Sequence, residues 1–265
     1  MSFNREDHIV KAIFLIWTLL TTTNAMSQHC AATLDLTTLR PSGGVFDLYL
    51  YQNKLAIADL SNNQVIILDR NLMLVKTIQV KSPHAAVFDS KGFLYVATAR
   101  YNRILKFNSQ YQEVEGWDKS LRDQKALNMP VALDVGESDS IYVTNWEPEG
   151  IIHVDAKGKL LHTFSSTGTV KIRPHGISFS SKHQRVFVAD RVYEGGAGTI
   201  HVFSTEGIYL SSWSKPNAEF DPLNIRPISD DLWFVPDYFD GKIYIFDISG
   251  RVIEKLELLG VEPGR

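Results

Sequence analysis

The chain has 265 residues, of which 44% are hydrophobic and 22% are charged, a composition typical of a folded globular protein rather than a disordered one. Its formal net charge of −3 offers no general attraction for a phosphate backbone, so we expect no nucleic acid partner. The chain has a single cysteine, Cys30, so it cannot form an internal disulfide and packing alone must stabilise the fold.

The first 25 residues predict a secretory signal peptide. Arg5 and Lys11 precede an apolar run over residues 12–20, and a short polar stretch then leads to Ala25. The apolar run is too short to cross about 30 Å of hydrocarbon as a helix. We therefore expect cleavage after Ala25, a secreted or periplasmic location, and no stable membrane insertion of the mature protein. Retention as an anchor and lipidation of Cys30 are the alternatives.

A strand-rich unit recurs five times in the rest of the chain. Its clearest part is an apolar strand with a polar last residue, such as Leu-Ala-Ile-Ala-Asp at 55–59 and Val-Phe-Val-Ala-Asp at 186–190. Short apolar runs bounded by Asn, Asp, Ser or Gly are typical of antiparallel hairpins. The last residues of this strand in the five copies are separated by 39, 47, 45 and 47 positions: Asp59, Thr98, Asn145, Asp190 and Asp237.

This period predicts the fold class, because about 40 to 50 residues with four strands per copy are typical of β-propeller blades. We expect an all-β chain with five recognisable four-stranded blades. No Pro/Ser-rich linker or long charged block interrupts the repeats, so residues 26–265 are predicted to form one domain. Either the ring closes with five blades, or it is an incomplete six-bladed ring. The Gly- and Pro-containing end, residues 259–265, favours the second.

Three recurring patterns resemble the NHL-repeat family of β-propellers. They are a blade opening with Pro-x-x before alternating apolar residues, the Tyr/Phe-Val-Ala-Asp strand, and an Ile-x-x-Phe-Asp strand followed by a glycine turn. The resemblance covers about residues 44–260. It implies a propeller, typically six-bladed, whose commonest roles in the family are binding and scaffolding.

Two histidines follow a proline at equivalent blade openings, in Ser-Pro-His84 and Arg-Pro-His175. At the start of an innermost strand they are expected to point towards the central channel, where they could ligate a divalent metal such as zinc or calcium. Histidines in alternate blades also resemble the peptidyl-α-hydroxyglycine lyase branch of NHL-like propellers. Where that branch has a catalytic arginine and tyrosine, this chain has residues 59–62 and 145–147 instead. A purely structural role for both imidazoles is the alternative.

A second candidate site lies just after the polar ends of the repeated strands, where loops open onto one face of a propeller. Arg100 and Arg191 are suited to a carboxylate or phosphate, and Trp146 and Tyr238 to stacking on a sugar or clamping a peptide. In the alternative, the aspartates only hold turns and the arginines pair with them. The predicted ligand-binding residues are Arg100, Asn145, Trp146, Asp190, Arg191, Asp237 and Tyr238.

The sequence thus favours an exported NHL-type propeller that binds a peptide, glycan or protein through its central face. The alternative is a metal-dependent lyase or hydrolase that uses His84 and His175. The chain contains neither a Gly-x-Ser-x-Gly nor a His-Glu-x-x-His motif, so serine hydrolase and zinc protease mechanisms have no support.

Overall fold

The computed structural model describes residues 45–146, 150–164, 172–191, 197–215 and 219–257, and the backbone at 13–14 and 32–33. Two short strands, β1 (Ile13–Phe14) and β2 (Ala32–Thr33), pair with each other ahead of the repeats. Five antiparallel sheets then follow in chain order and form a five-bladed β-propeller. The structure thus shows a five-bladed propeller, whereas the Gly- and Pro-containing end of the sequence had favoured an incomplete six-bladed ring.

Each blade is a meander in which consecutive strands are hydrogen-bonded neighbours. Blade 1 contains β3 (Val45–Tyr51), β4 (Lys54–Asp59), β5 (Gln64–Asp69) and β6 (Leu74–Gln79). Blade 3 contains β10 (Pro130–Val135), β11 (Ile141–Asn145), β12 (Gly150–Val154) and β13 (Leu160–Phe164). Blade 4 contains β14 (Pro174–Ser180), β15 (Arg185–Asp190), β16 (Thr199–Ser204) and β17 (Tyr209–Trp213). Blade 5 contains β18 (Arg226–Ser229), β19 (Leu232–Asp237), β20 (Lys242–Asp247) and β21 (Val252–Glu257).

Blade 2 has a reduced outer strand. Its strands are β7 (Pro83–Phe88), β8 (Leu94–Thr98) and β9 (Arg103–Phe107), with a short 3₁₀ helix at Ala99–Tyr101. The outer edge is represented by one bridge from Phe107 to Glu113 and a 2.7 Å hydrogen bond from the Val114 N–H to the Lys106 carbonyl. The chain then enters helix α1 (Lys119–Asp123), and blade 3 carries a second 3₁₀ helix at Glu137–Asp139. No helix in the described part of the chain is long and apolar enough to cross a membrane.

Apolar faces hold neighbouring blades together, because both sides of each sheet carry buried side chains. Ala58 and Ile67 of blade 1 pack in one cluster with Phe88 and Val96 of blade 2. Similar clusters join blade 2 to blade 3, blade 3 to blade 4, and blade 4 to blade 5. Burial of this surface is the main favourable contribution to folding, since the hydrophobic effect scales with the apolar area removed from water.

A buried ion pair joins the first blade to the last. Nη2 of Arg226, in the inner strand of blade 5, lies 3.0 Å from Oδ2 of Asp47, in the inner strand of blade 1. Nη1 of Arg226 donates to the Ile177 carbonyl of blade 4 at 2.7 Å, and Asn224 donates to Asp47 at 3.1 Å. These contacts connect the inner strands of blades 1, 4 and 5 at the hub.

A glycine in the outer turn of blades 3, 4 and 5 lies against an aromatic residue that precedes the blade. The pairs are Gly158 with Trp117, Gly207 with Phe164, and Gly250 with Trp213. A Cβ atom at Gly250 would lie 2.1 Å from Cδ1 of Trp213, so this turn has no room for a side chain. The close approach lets the aromatic ring cover the edge of the next blade.

Substitution of Gly250 is expected to destabilise the fold by more than its backbone strain. Gly92 is the matched control, because its φ of +79° is close to the +81° of Gly250 but nothing lies within 4 Å of a Cβ there. We expect Gly92→Ala to cost about 1 kcal/mol. Gly250→Ala should cost at least about 1 kcal/mol more, because Trp213 must move. Urea unfolding measures both, and equal losses would contradict the packing argument.

Candidate functional site

In blades 1 to 4, the inner strand pairs with the second strand of its blade, and one residue near the start of the inner strand has no partner in this pairing. Such a bulge takes one residue out of the ladder and re-aims its side chain. In blade 5 the bridge between Pro222 and Asp237 gives Leu223 the equivalent position. The five equivalent residues are Phe46, His84, Val131, His175 and Leu223. The repeat thus places one side chain per blade at the same level of the ring.

The bulges of blades 1, 2 and 4 bring three rings together. The ring centroid of Phe46 lies 4.5 Å from that of His84 and 5.4 Å from that of His175. The two histidines picked out by their Pro-His openings therefore both pack against one phenyl ring. Phe46 was not among the predicted site residues. The strand register identifies Phe46 as the equivalent of His175, since Val45 pairs with Asp59 in the same way that Pro174 pairs with Asp190.

Backbone carbonyls fix the tautomer of both imidazoles. Nδ1 of His84 lies 3.0 Å from the Ser82 oxygen, and Nδ1 of His175 lies 2.8 Å from the Leu223 oxygen. A carbonyl can only accept, so Nδ1 carries the proton in each ring and Nε2 keeps its lone pair. Both Nε2 atoms are thus hydrogen-bond acceptors or ligand nitrogens.

Burial keeps the two imidazoles uncharged. It lowers the pKa of His175 to about 4, and the nearby Arg191 guanidinium acts in the same direction. The pKa of His84 is also lowered, first by burial and then by the charge of Arg100. At neutral pH the floor of the site therefore offers two neutral acceptors beside an aromatic ring.

The rim is formed by residues that follow the second strands. The ring centroid of Trp146 lies 6.4 Å from that of His175, in an edge-to-face arrangement. Nε of Arg191 donates to Asp221 at 2.7 Å, and its guanidinium lies 5.0 Å over the ring of Tyr238. Arg191 therefore pairs with Asp221 and not with Asp190 beside it. The sequence had not identified Asp221, which lies in the loop before blade 5.

Three other predicted ligand-binding residues, Asn145, Asp190 and Asp237, are buried. The side chain of each accepts a hydrogen bond from a backbone N–H in the segment just before an inner strand. This is the role of holding turns that the sequence left open as the alternative. The three hydrogen bonds run from Asn128 to Asn145 at 2.7 Å, from Arg173 to Asp190 at 2.8 Å, and from Asp221 to Asp237 at 3.0 Å. Direct contact of these side chains with a ligand stays a prediction.

The described residues do not by themselves complete a metal centre. His84 and His175 supply two nitrogens, whereas even a catalytic zinc normally keeps three protein ligands. Within the described ranges, no three His, Cys, Asp or Glu side chains are grouped so that they could hold a metal ion. Phe46 also lies against both imidazoles. Ligation of zinc or calcium by the two histidines stays a prediction.

No family model and no curated protein matches the sequence. Solved structures resemble the fold. A streptogramin B lyase has a TM-score of 0.63 at 15% identity, over 83% of this chain and 70% of that one. A catalytically inactive histidine-to-alanine variant of virginiamycin B lyase from Staphylococcus aureus, with quinupristin, has 0.62 at 14%, over 83% and 72%. A chain of the nidogen/laminin complex has 0.62 at 12%, over 81% and 80%. At these identities the likeness shows a β-propeller fold.

Acidification is expected to destabilise the fold through His175. The pKa of His175 is about 4 in the folded chain, below its ordinary value of 6.5. The contribution of the buried neutral imidazole to the free energy of unfolding is therefore complete above pH 6.5 and is lost as the pH falls towards 4. Between pH 7 and pH 5 we expect His175→Gln to lose about 2 kcal/mol less unfolding free energy than the parent. Urea unfolding of the parent and the variant at both pH values gives the comparison, and identical losses in the two proteins would refute it.

Proposed function

We propose that the chain is an exported NHL-type propeller that binds a peptide ligand at its central face. The observation that carries this proposal is the convergence of Phe46, His84 and His175, with two neutral Nε2 acceptors beside an aromatic surface. A peptide offers N–H donors for the imidazoles and apolar side chains for Phe46 and Trp146. Aromatic residues of this kind contribute large contact area when a ligand covers them.

Binding fits the two imidazoles better than acid–base catalysis does. A general base works best when its pKa lies near the operating pH, whereas the pKa of His175 is about 4. Each Nδ1–H is also directed to a backbone carbonyl rather than to a carboxylate that would strengthen the ring as a base. The site is therefore arranged to accept hydrogen bonds without gaining charge.

Two features support the remaining parts of the proposal. The Tyr/Phe-Val-Ala-Asp strands, which become the second strands of the blades, support the NHL type. The basic residues, apolar run and Ala25 at the start of the chain support export. The structural neighbours are compatible with a small ligand and with a protein ligand, since one neighbour was solved with quinupristin and another belongs to the nidogen/laminin complex.

Export can be checked on the protein recovered from outside the cytoplasm. Cleavage after Ala25 leaves a chain that begins at Met26, and the intact mass of the exported protein should equal that of residues 26–265. A mass that includes residues 1–25, or failure to leave the cytoplasm, would oppose this part of the proposal. An added lipid mass would identify Cys30 as an anchor instead.

Peptide binding can be tested with a displayed random heptapeptide library screened on the purified protein. Peptides selected on the parent should bind His84→Ala and His175→Ala about tenfold more weakly, because each variant loses one acceptor. Calorimetry measures the affinities. His162→Ala, at an exposed outer-strand position, should keep full affinity. Failure to select any peptide, or equal affinity for all variants, would reject the proposal.

The second candidate is a metal-dependent lyase or hydrolase, which the two free Nε2 atoms favour. Such an enzyme requires zinc or calcium bound through both histidines. It also requires further metal ligands, because no third His, Cys, Asp or Glu of the described residues is grouped with these two. Metal analysis of the purified protein decides between the two functions. A stoichiometric metal that is lost in both His84→Ala and His175→Ala would support the enzyme, whereas a metal-free parent that binds peptide supports the binding module.

A further inference from the structure

The central face has acidic side chains, but their charges are already engaged. Asp59 accepts hydrogen bonds from Asn62 and Gln64. Asp237 is ion-paired with the buried Lys215, whose Nζ lies 2.5 Å from Oδ2. The bidentate pair of Arg191 and Asp221 is also internally neutral. Asp237 and Asp221 are thus neutralised by cations, and Asp59, which is contacted by neutral amides, is fully buried.

Arg100 is different from the other charged residues at the rim. It is exposed in the 3₁₀ helix Ala99–Tyr101, directly after the second strand of blade 2. No carboxylate of the described residues lies within ion-pairing distance of it, whereas Arg103 in the next strand has Asp118 at 2.8 Å. Its charge nevertheless reaches the site, since it is one cause of the lowered pKa of His84.

The loop that carries Arg100 is held in place. Asn102, in the left-handed region with φ of 52°, donates its N–H to the Ala99 carbonyl at 3.2 Å. Its Oδ1 accepts the N–H of Met129, from the segment before blade 3, at 2.8 Å. Tyr101 and Met129 are 52% and 36% exposed, so an apolar surface lies in the same stretch of loop as the guanidinium. The loop is therefore pre-organised for a group that is both charged and apolar.

We propose that the ligand of the central face carries a carboxylate, which Arg100 binds at the rim. This inference rests on the proposed function and adds the chemical class of the ligand to it. An arginine fork matches the planar carboxylate with two parallel hydrogen bonds. The free C-terminus of a peptide and an Asp or Glu side chain have the same chemistry. The neutral imidazoles accept hydrogen bonds from the rest of the ligand and do not compete for its charge.

Two probes of the same shape separate charge from contact area. N-acetyl-tryptophan carries a carboxylate, and N-acetyl-tryptophanamide replaces it with a neutral amide. We expect the parent to bind the acid about five- to tenfold more tightly than the amide, and the preference to shrink at high salt. Arg100→Gln should bind both probes equally. Arg70→Gln is the matched control, because Arg70 is exposed in the outer turn of blade 1.

The outcomes distinguish this inference from the proposed function. If the parent binds acid and amide equally, or if Arg100→Gln keeps the preference, the carboxylate assignment is wrong while the binding site stands. If neither probe binds the parent, the site and the carboxylate assignment both fail. His84→Ala should weaken both probes by the same factor, since it removes an acceptor and leaves the charge of Arg100. N-acetyl-aspartate α-amide, in which only the side-chain carboxylate is free, then shows whether a side-chain carboxylate is bound as well as a terminal one.

Discussion

The pair of Arg226 and Asp47 is the interaction on which the ring and its site both depend. The two residues lie 179 positions apart in the chain and are both buried. A buried charge is costly unless it is paired and hydrogen-bonded, and here the guanidinium also donates to the Ile177 carbonyl. Burial raises the pKa of Asp47 even so, while Arg226 opposes that effect. Removal of Arg226 would leave Asp47 as a buried carboxylate without its cation at the hub.

The same pair positions the functional residues. Phe46 directly precedes Asp47, and Leu223 directly precedes Asn224, which donates to Asp47 at 3.1 Å. Phe46 contacts both imidazoles, and the Leu223 carbonyl accepts a hydrogen bond from Nδ1 of His175. The contacts that close the ring therefore also hold the floor of the site. Structural and binding roles meet in neighbouring residues, as expected where a rigid frame supports a binding surface.

The repeat supplies a common backbone, and the side chains make each blade different. Every inner strand re-aims one residue at the same level, but only blades 2 and 4 put a histidine there. Likewise, two arginines follow the second strands, and only one of them has its charge cancelled by a described carboxylate. Asp221 neutralises Arg191, whereas Arg100 remains an exposed cation. The chemistry of the face is thus set by differences between copies that share one geometry.

The sequence by itself determined the propeller, because the period of apolar strands and turns is a local property that each copy repeats. It also identified His84 and His175 through their Pro-His openings. Only the tertiary structure decided that the ring has five blades, that Phe46 packs against both histidines, and that Arg191 pairs with Asp221. These features depend on bulge registers and on contacts between distant segments. No local pattern encodes such contacts, because the partners meet only when the blades pack around one axis.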